Sequence, residues 1–453
     1  MIARAAAVAP AVNPARLLAV KILTSRGAGV ESALEAALEA SALVTEDRRL
    51  LAETVLGTLR MRRRLDWHLD AILGSRGARL APRLRVILRL AAYQILFLDR
   101  VPDYAIVNEA VAIARAEGHD GWAALANAVL RRLCENPAPP RRDSGCDPAL
   151  ELALSHSYPD WIAQRAVAEL GRDEAERFLE AGNHAHAVTL RTNLLRTTRE
   201  ALLARLTAGG IAAEACARAP RGVRLAARAF HANLDVLRGG LASVQDESAI
   251  LVSDLIEPQP GETIADLCAA PGGKTLALAE AAGAGARVIA VDRAARKGRI
   301  LENLARLGWR HEPRTRRWAS ADGPNAAHVE LVEGDARVLE PIACDAVLVD
   351  APCTGLGVLS RHAELRWEKR DADVARLAAI QGELLDAAAH WVMPGGRLVY
   401  STCSILTDEN ESVVRAFLER NEAFHADGEP LRTWPHRHGT DGAFAQRMRR
   451  SPS

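Results

Sequence analysis

Two cysteines stand where an apolar, strand-like run gives way to a turn: Cys353 in Asp350-Ala351-Pro352-Cys353-Thr354-Gly355 and Cys403 in Ser401-Thr402-Cys403-Ser404. A thiol among hydroxyls at a strand end is unlike a structural cysteine packed in apolar surroundings. Two of them at neighbouring strand ends suit covalent attack on a ring such as a pyrimidine. Pro352 fixes the backbone between Asp350 and Cys353, so both side chains can enter one cleft and the carboxyl group can hold a base edge. Cys134, Cys146, Cys216 and Cys344 have no comparable context and read as structural.

Upstream, Asp266-Leu267-Cys268-Ala269-Ala270-Pro271-Gly272-Gly273-Lys274-Thr275 follows a strand and opens a helix, where an α/β sheet receives a nucleotide-like cofactor. A phosphate loop needs Gly where Cys268 stands, which argues against an ATPase. The turn still offers backbone N–H groups to a ligand, and Asp292, 20 residues past Gly272 at the end of the next strand, suits a pair of ribose hydroxyls. Asp335 follows the third strand and can receive an adenine amino group, although an Asp at such a position also serves as a helix cap.

The elements that position these residues alternate from about Gly240 onward. Strands are expected at 263–268, 287–292, 329–334, 346–350 and 397–401, with helices at 275–282, up to Leu307, and at 373–392, which implies a mostly parallel sheet flanked by helices. The polar stretch from Trp309 to His328, with Arg314, Arg316, Arg317, Gly323 and Pro324, reads as a long loop. From Pro14 to about Asn136 apolar residues recur at helical spacing, with 86–98 apolar enough to be a central buried helix. Arg60, Arg62, Arg63 and Arg64 cluster at a helix end, either to grip phosphates or as a solvated terminus whose cations face the negative end of the dipole. Asn136-Pro137-Ala138-Pro139-Pro140-Arg141-Arg142-Asp143-Ser144-Gly145 reads as a linker. Beyond it, helices around 161–180 and 199–208 and strands at 188–193 and 211–216 make a small α+β connector. The expected domains are 1–140, 146–238 and 239–453.

At 453 residues the chain is too long for one ordinary domain. With 49% hydrophobic and 25% charged residues and no apolar run of the roughly 20 residues that span a bilayer, it reads as a cytoplasmic protein without a membrane segment. The Ala-rich first 20 residues lack the pattern of a secretory signal, an organellar presequence being the alternative. Seven scattered cysteines indicate neither a disulfide framework nor a zinc site, so no metal is expected. Residues 1–142 hold 21 Lys and Arg against 14 Asp and Glu, a net +7, and the remainder holds 37 against 43, a net −6. A basic front end on an acidic remainder fits one part that meets nucleic acid and another that does chemistry.

Several strings resemble a known family. Asp266 to Thr275, Asp350 to Gly357, Arg361-His362-Ala363-Glu364-Leu365-Arg366-Trp367, and Ser401 to Ser404 followed by Glu409-Asn410 are similar to the RsmB/Sun (Fmu) family of RNA 5-methylcytosine methyltransferases. Ala363 stands where the family usually has Pro. Asp47-Arg48-Arg49, Gly57 to Arg60, Val107 to Ala110 and Asn127 to Arg132 resemble the NusB-type helical RNA-binding domain. The resemblance implies an all-α NusB-like domain, an α+β connector and a Rossmann-like class I methyltransferase domain. The implied activity is S-adenosylmethionine-dependent methylation of cytosine C5, on 16S small-subunit ribosomal RNA, by a monomer. Cys403 is then the nucleophile that adds to cytosine C6, Asp350 holds the N3 and amino edge, and Cys353 assists release. Cys268, Ala269, Ala270, Pro271, Gly272, Gly273, Lys274, Asp292, Asp335 and Asp350 hold the cofactor. A transfer RNA substrate, or a non-catalytic NusB-like binding or ribosome-assembly factor, are the alternatives. Trp367 either stacks on a base or anchors its loop.

Overall fold

The computed structural model describes residues 13–25, 29–99, 101–139, 147–184, 187–226, 234–313, 317–320 and 327–452. Part of the linker, from Pro140 on, Cys146, and Arg314, Arg316, Gly323 and Pro324 lie outside them. The chain packs as two compact units. One comprises residues up to Asn183 together with His362–Glu368, and the other 184–361 together with 369–453.

The first unit is all helix. Seven helices, Pro14–Thr24, Val30–Ala40, Thr45–Arg60, Arg62–Leu73, Pro82–Phe97, Asp103–Glu117 and Asp120–Glu135, enclose one apolar core. Pro82–Phe97 is the central helix that its apolar pattern predicts, with Leu84, Ile87, Leu88 and Leu90 all buried. Three further helices, Pro148–Ser155, Asp160–Leu170 and Arg172–Ala181, pack with this unit rather than with the strands that follow them. Arg16 is buried beside Gln94 (2.7 Å) and Glu109 (2.7 Å), so its charge is matched inside the bundle.

The arginine cluster differs from its expected setting. Arg60 closes one helix, but Arg62, Arg63 and Arg64 open the next, at the end of the dipole that disfavours cations. Compensation comes from internal partners. Arg63 donates to the Tyr158 carbonyl (2.6 Å) and pairs with Asp160 (2.5 Å), Arg64 donates to the Ser155 carbonyl (3.3 Å), and Arg62 lies over the Trp367 ring at 5.1 Å. Trp367 is a loop anchor, donating through Nε1 to the Leu59 carbonyl (2.8 Å). Beside it, Arg366 is fully buried, with its guanidinium 3.9 Å from the Tyr158 ring centroid and 2.7 Å from Asn183 Oδ1. Burial pushes the Arg366 pKa down to about 10.

The second unit holds two sheets. A small antiparallel sheet comprises β1 (Thr189–Thr192), β2 (Ala213–Ala215), β3 (Gly222–Leu225) and β4 (Ala242–Val244), in the order β2-β3-β1-β4. The large sheet comprises β5 (Thr263–Asp266), β6 (Arg287–Asp292), β7 (Trp309–Glu312), β8 (Arg317–Ser320), β9 (His328–Glu333), β10 (Cys344–Asp350), β11 (Val392–Thr402), β12 (Phe424–Ala426), β13 (Leu431–Thr433) and β14 (Ala443–Arg450). Its order is β12-β14-β11-β10-β5-β6-β9-β8-β7, with β13 beside β14. The central five, β11-β10-β5-β6-β9, are parallel. Runs such as Val347-Leu348-Val349 and Val288-Ile289-Ala290-Val291 are apolar without alternation because helices cover both faces.

The chain moves outward from β5 to β6 and β9, then returns to lay β10 and β11 on the other side of β5. Strand order therefore reverses between β5 and β10, and the crevice at their carboxyl ends is where open α/β sheets take ligands. One further part differs from expectation. The stretch after Trp309 contains a β-hairpin, β7 with β8, that extends the sheet edge, held in part by an Arg317–Glu330 ion pair (2.5 Å). The C-terminal strand β14 runs antiparallel beside β11.

Candidate active site

Register determines which side chains meet. Asp350 and Ser401 are paired neighbours at the ends of β10 and β11. Cys353 lies three residues past the first and Cys403 two past the second, and their sulfurs are 3.2 Å apart. The two strand-end thiols, 50 residues apart in sequence, thus form one pair, and both are half-buried. Cys353 is held well above the ordinary thiol range, first by its hydrogen bond with Cys403 and then by burial and the nearby Cys403 and Glu409 charges. At neutral pH Cys353 therefore stays protonated.

Asp350 is fixed from two sides: Oδ1 accepts from Ser401 Oγ (2.7 Å) and Oδ2 from Lys274 Nζ (2.7 Å). Burial alone would lower the Lys274 pKa, but the Asp350 charge and hydrogen bond outweigh it, and the Cys403 charge acts in the same direction. Lys274 is thus a cation within electrostatic reach of both the carboxylate and the thiol pair.

The turn before Lys274 has the features a cofactor's polar groups need. Gly272 has φ of 99°, and a Cβ there would lie 3.4 Å from Ile300 Cα, so a side chain would meet both backbone strain and crowding. Helix Gly273–Ala282 starts at this point with its N–H groups unused by the helix. Asp292 Oδ2 accepts from the Ala270 N–H (2.7 Å), which ties the turn to the end of β6, and a small cleft beside it is lined by Asp292, Ile300, Leu331 and Glu333. Asp335 sits at the same edge, but Arg337 (2.7 Å) and Arg293 (3.0 Å) occupy its carboxylate and hold its pKa far below the usual range. Cys268 is pushed up by burial and then by the Asp266, Asp350 and Asp292 charges, so its thiol is unreactive. Peptide donors with a carboxylate at the next strand end fit an adenosine-type cofactor. Among the described residues no group of His, Cys, Asp and Glu is disposed to hold a metal ion, and no helix is long and apolar enough to cross a membrane.

Asp266, at the end of β5, is 1% exposed, and burial pushes its pKa up to about 6 against the opposing hydrogen bond from Thr275 Oγ1 (2.7 Å). The folded protein then holds a proton through roughly pH 4–6 that the unfolded chain has already lost. Stability falls as pH rises through that window, and above it the ionised group costs on the order of 3 kcal/mol. Asp266→Asn is expected to melt several degrees above wild type at pH 7.5, with the difference disappearing near pH 4. Thermal denaturation at the two pH values checks this, and an equal difference at both would refute it.

Glu409 and Asn410 enter the sequence reading only as part of a family-like string, with no role assigned, and Thr354, Gln381 and Ser404 are not singled out. Glu409, fully buried, accepts from the Thr354 N–H (2.8 Å), Thr354 Oγ1 (2.5 Å), Ser404 Oγ (2.5 Å) and Gln381 Nε2 (3.2 Å). Asn410, also buried, accepts from Thr402 Oγ1 (2.5 Å) and donates to the Ser404 carbonyl (3.1 Å). Apart from that resemblance, their position in the polar run Thr407-Asp408-Glu409-Asn410-Glu411 carries the signature of a helix start.

A parallel sheet with a glycine-rich turn at its switch point and a thiol pair over the adjacent strand ends defines a Rossmann-like group-transfer enzyme of the class I methyltransferase type. Residues 253–449 match the family model described as 16S rRNA methyltransferase RsmB/F, 13–135 match the NusB family, and 158–230 match the RsmF/B-like ferredoxin-like domain. The chain is 33% identical to the probable ribosomal RNA small subunit methyltransferase B of Bacillus subtilis, over 92% of this chain and 94% of that protein. It is 34% identical to ribosomal RNA small subunit methyltransferase B of Serratia proteamaculans, over 89% and 90%. The crystal structure of PH0851 superposes with a TM-score of 0.77 at 27% identity, covering 96% of this chain and 97% of that one. The chain belongs to the RsmB/F family of 16S rRNA methyltransferases. It is therefore an S-adenosylmethionine-dependent methyltransferase whose sheet domain follows a NusB-type helical domain and a ferredoxin-like connector.

Proposed function

We propose that this protein methylates carbon 5 of a cytosine in 16S small-subunit ribosomal RNA through a covalent adduct on Cys403. The observation that carries this reading is the 3.2 Å thiol pair beside the Lys274–Asp350 ion pair at the switch point. Carbon 5 of cytosine is a poor nucleophile. Addition of the Cys403 thiolate at carbon 6 makes it an enamine-like carbon that can take up an electrophilic methyl group. S-adenosylmethionine, when bound by the 268–274 turn with Asp292, Asp335 and Asp350, supplies that methyl. Asp350, held by Ser401 and Lys274, accepts from the cytosine amino edge, and the adjacent ammonium offsets negative charge that develops on the ring. The C5 proton then passes to a solvent base, its electron pair re-forms the C5–C6 double bond, and Cys403 leaves as a thiolate that the protonated Cys353, 3.2 Å away, stabilises by hydrogen bonding, which assists release of the methylated base. The target cytosine has to be unpaired or turned out of its helix to reach the crevice. Residues 1–140, basic overall, serve RNA binding, 146–238 connect, and 239–453 carry the chemistry.

Transfer of labelled methyl from S-adenosylmethionine to 16S RNA, assembled small subunits and transfer RNA tests this, with nucleoside analysis of the product. Label on 5-methylcytosine in 16S RNA is the expected result. Label confined to transfer RNA, or on another nucleoside, would overturn the substrate or the position.

A further inference from the structure

Glu409 is a buried carboxylate for which the reaction above has no use. Four donors converge on it from three parts of the sheet domain. Thr354, immediately after Cys353, supplies its N–H (2.8 Å) and hydroxyl (2.5 Å). Ser404, immediately after Cys403, supplies its hydroxyl (2.5 Å), and Gln381 on helix Ala372–Ala389 supplies its amide (3.2 Å). The same Gln381 amide donates to the Pro352 carbonyl (2.9 Å), just before Cys353. Tyr400, under the end of β11, donates to the backbone carbonyl of Glu409 (2.5 Å). A carboxylate accepts through both oxygens at once, so it can join two loops through the donors that each presents, and buried charge-assisted bonds of this kind are short and directional. The neighbouring hydroxyls of Thr354 and Ser404 lie 3.3 Å apart, which shows how closely the loops are drawn together.

We propose that Glu409 is a positioning residue that clamps the loop after β10 to the loop after β11, fixing where Cys353 stands relative to Cys403 and so governing release of the product. The proposal rests on the cytosine-C5 reading for its consequence in turnover, but not for its consequence at the thiols. Its negative charge, close to Cys353, also favours the protonated form of that thiol. Glu409→Gln removes the negative charge and replaces one acceptor oxygen by an NH2 group, so the clamp loses its charge-assisted bonds and the hydroxyls on one oxygen must reverse to accept, which loosens that arm.

Two measurements on the full-length protein test this. In single-turnover methyl transfer, Glu409→Gln is expected to lower the release rate about ten- to a hundredfold, the range for a displaced catalytic group. Its KM for RNA should be unchanged, and an RNA–protein complex that survives denaturant should accumulate. Separately, alkylation by iodoacetamide without RNA, read by peptide mass at Cys353 across pH, should extend to lower pH in the variant. Ser404→Ala, which cuts one arm and leaves the carboxylate in place, should move both readouts the same way by less, and it keeps the test valid if Glu409→Gln folds poorly. A fall in activity matched by the loss of folded protein, with adduct fraction and Cys353 alkylation as in wild type, would overturn the proposal. Altered Cys353 alkylation, alongside a wild-type protein that methylates no cytosine, would support the clamp while overturning the cytosine-C5 reading.

Discussion

Cys403→Ala is expected to reduce methyl transfer to background, a loss of roughly 10⁴-fold or more, as removal of a covalent nucleophile typically gives. Cys353→Ala is expected to behave differently: the adduct forms, the methyl is transferred, and the RNA remains attached to Cys403. The proposed separation of roles rests on the geometry. The thiols are 3.2 Å apart, yet Cys353 is kept protonated by its hydrogen bond to Cys403 and by burial, so it does not compete as thiolate. Denaturing gels of each variant incubated with labelled RNA and S-adenosylmethionine read both outcomes. A stable complex with Cys403→Ala and none with Cys353→Ala would exchange the roles of the two cysteines.

Gly357→Ala is expected to cost about a hundredfold in turnover, the scale associated with ångström-level displacement of catalytic groups. The Gly357 N–H donates to the Cys403 carbonyl (2.8 Å), and its own carbonyl accepts from Gly442 (2.8 Å). A Cβ at 357 would lie 2.2 Å from the Gly442 oxygen and 2.8 Å from the Cys403 oxygen. Both obstacles are backbone, so neither can rotate away as a side chain would. The strand-end loop carrying Cys403 has to shift, and overpacking of this kind also destabilises by about 1–3 kcal/mol. Turnover measured on folded protein, with a thermal melt beside it, separates the two effects. Wild-type turnover in Gly357→Ala would show that the contact does not position Cys403.

The parts of this molecule that were legible in the sequence are those governed by local rules. Helix Arg199–Ala208 and strand Arg287–Asp292 run between the very residues at which their patterns begin and end, because a capping Thr198 and an unbroken apolar run mark them. The thiol pair was legible because each cysteine follows its own strand. The clamp was not: Gln381 lies within an amphipathic helix and Glu409 in a polar run, and only tertiary packing brings the two to within 3.2 Å. The long loop expected after Trp309 turned out to contain strands because its polar residues occupy an edge, where one face meets solvent and the apolar signal of a buried strand is lost. Arg60, Arg62, Arg63 and Arg64 read in sequence either as a phosphate grip or as a solvated helix end, and it is the three-dimensional neighbours Tyr158, Asp160 and Trp367 that give Arg62 and Arg63 internal work.

Residues His362–Glu368 belong to the helical unit, although the chain enters and leaves them from the sheet unit. His362 meets Glu31 (2.6 Å), Glu364 accepts from the Glu31 N–H (3.1 Å) at the start of a helix, and Arg366 fills the socket formed by Tyr158, Gly182 and Asn183. Most of the helical unit is synthesised before the sheet unit, yet it lacks its last seven residues until position 368 has been translated. Its folding on the ribosome therefore finishes late, and the polypeptide passes between the units three times rather than once. A gene fragment ending at the unit boundary, Asn183, would encode a bundle with an open socket, and one beginning just after it would carry an arginine and a tryptophan stripped of their seats.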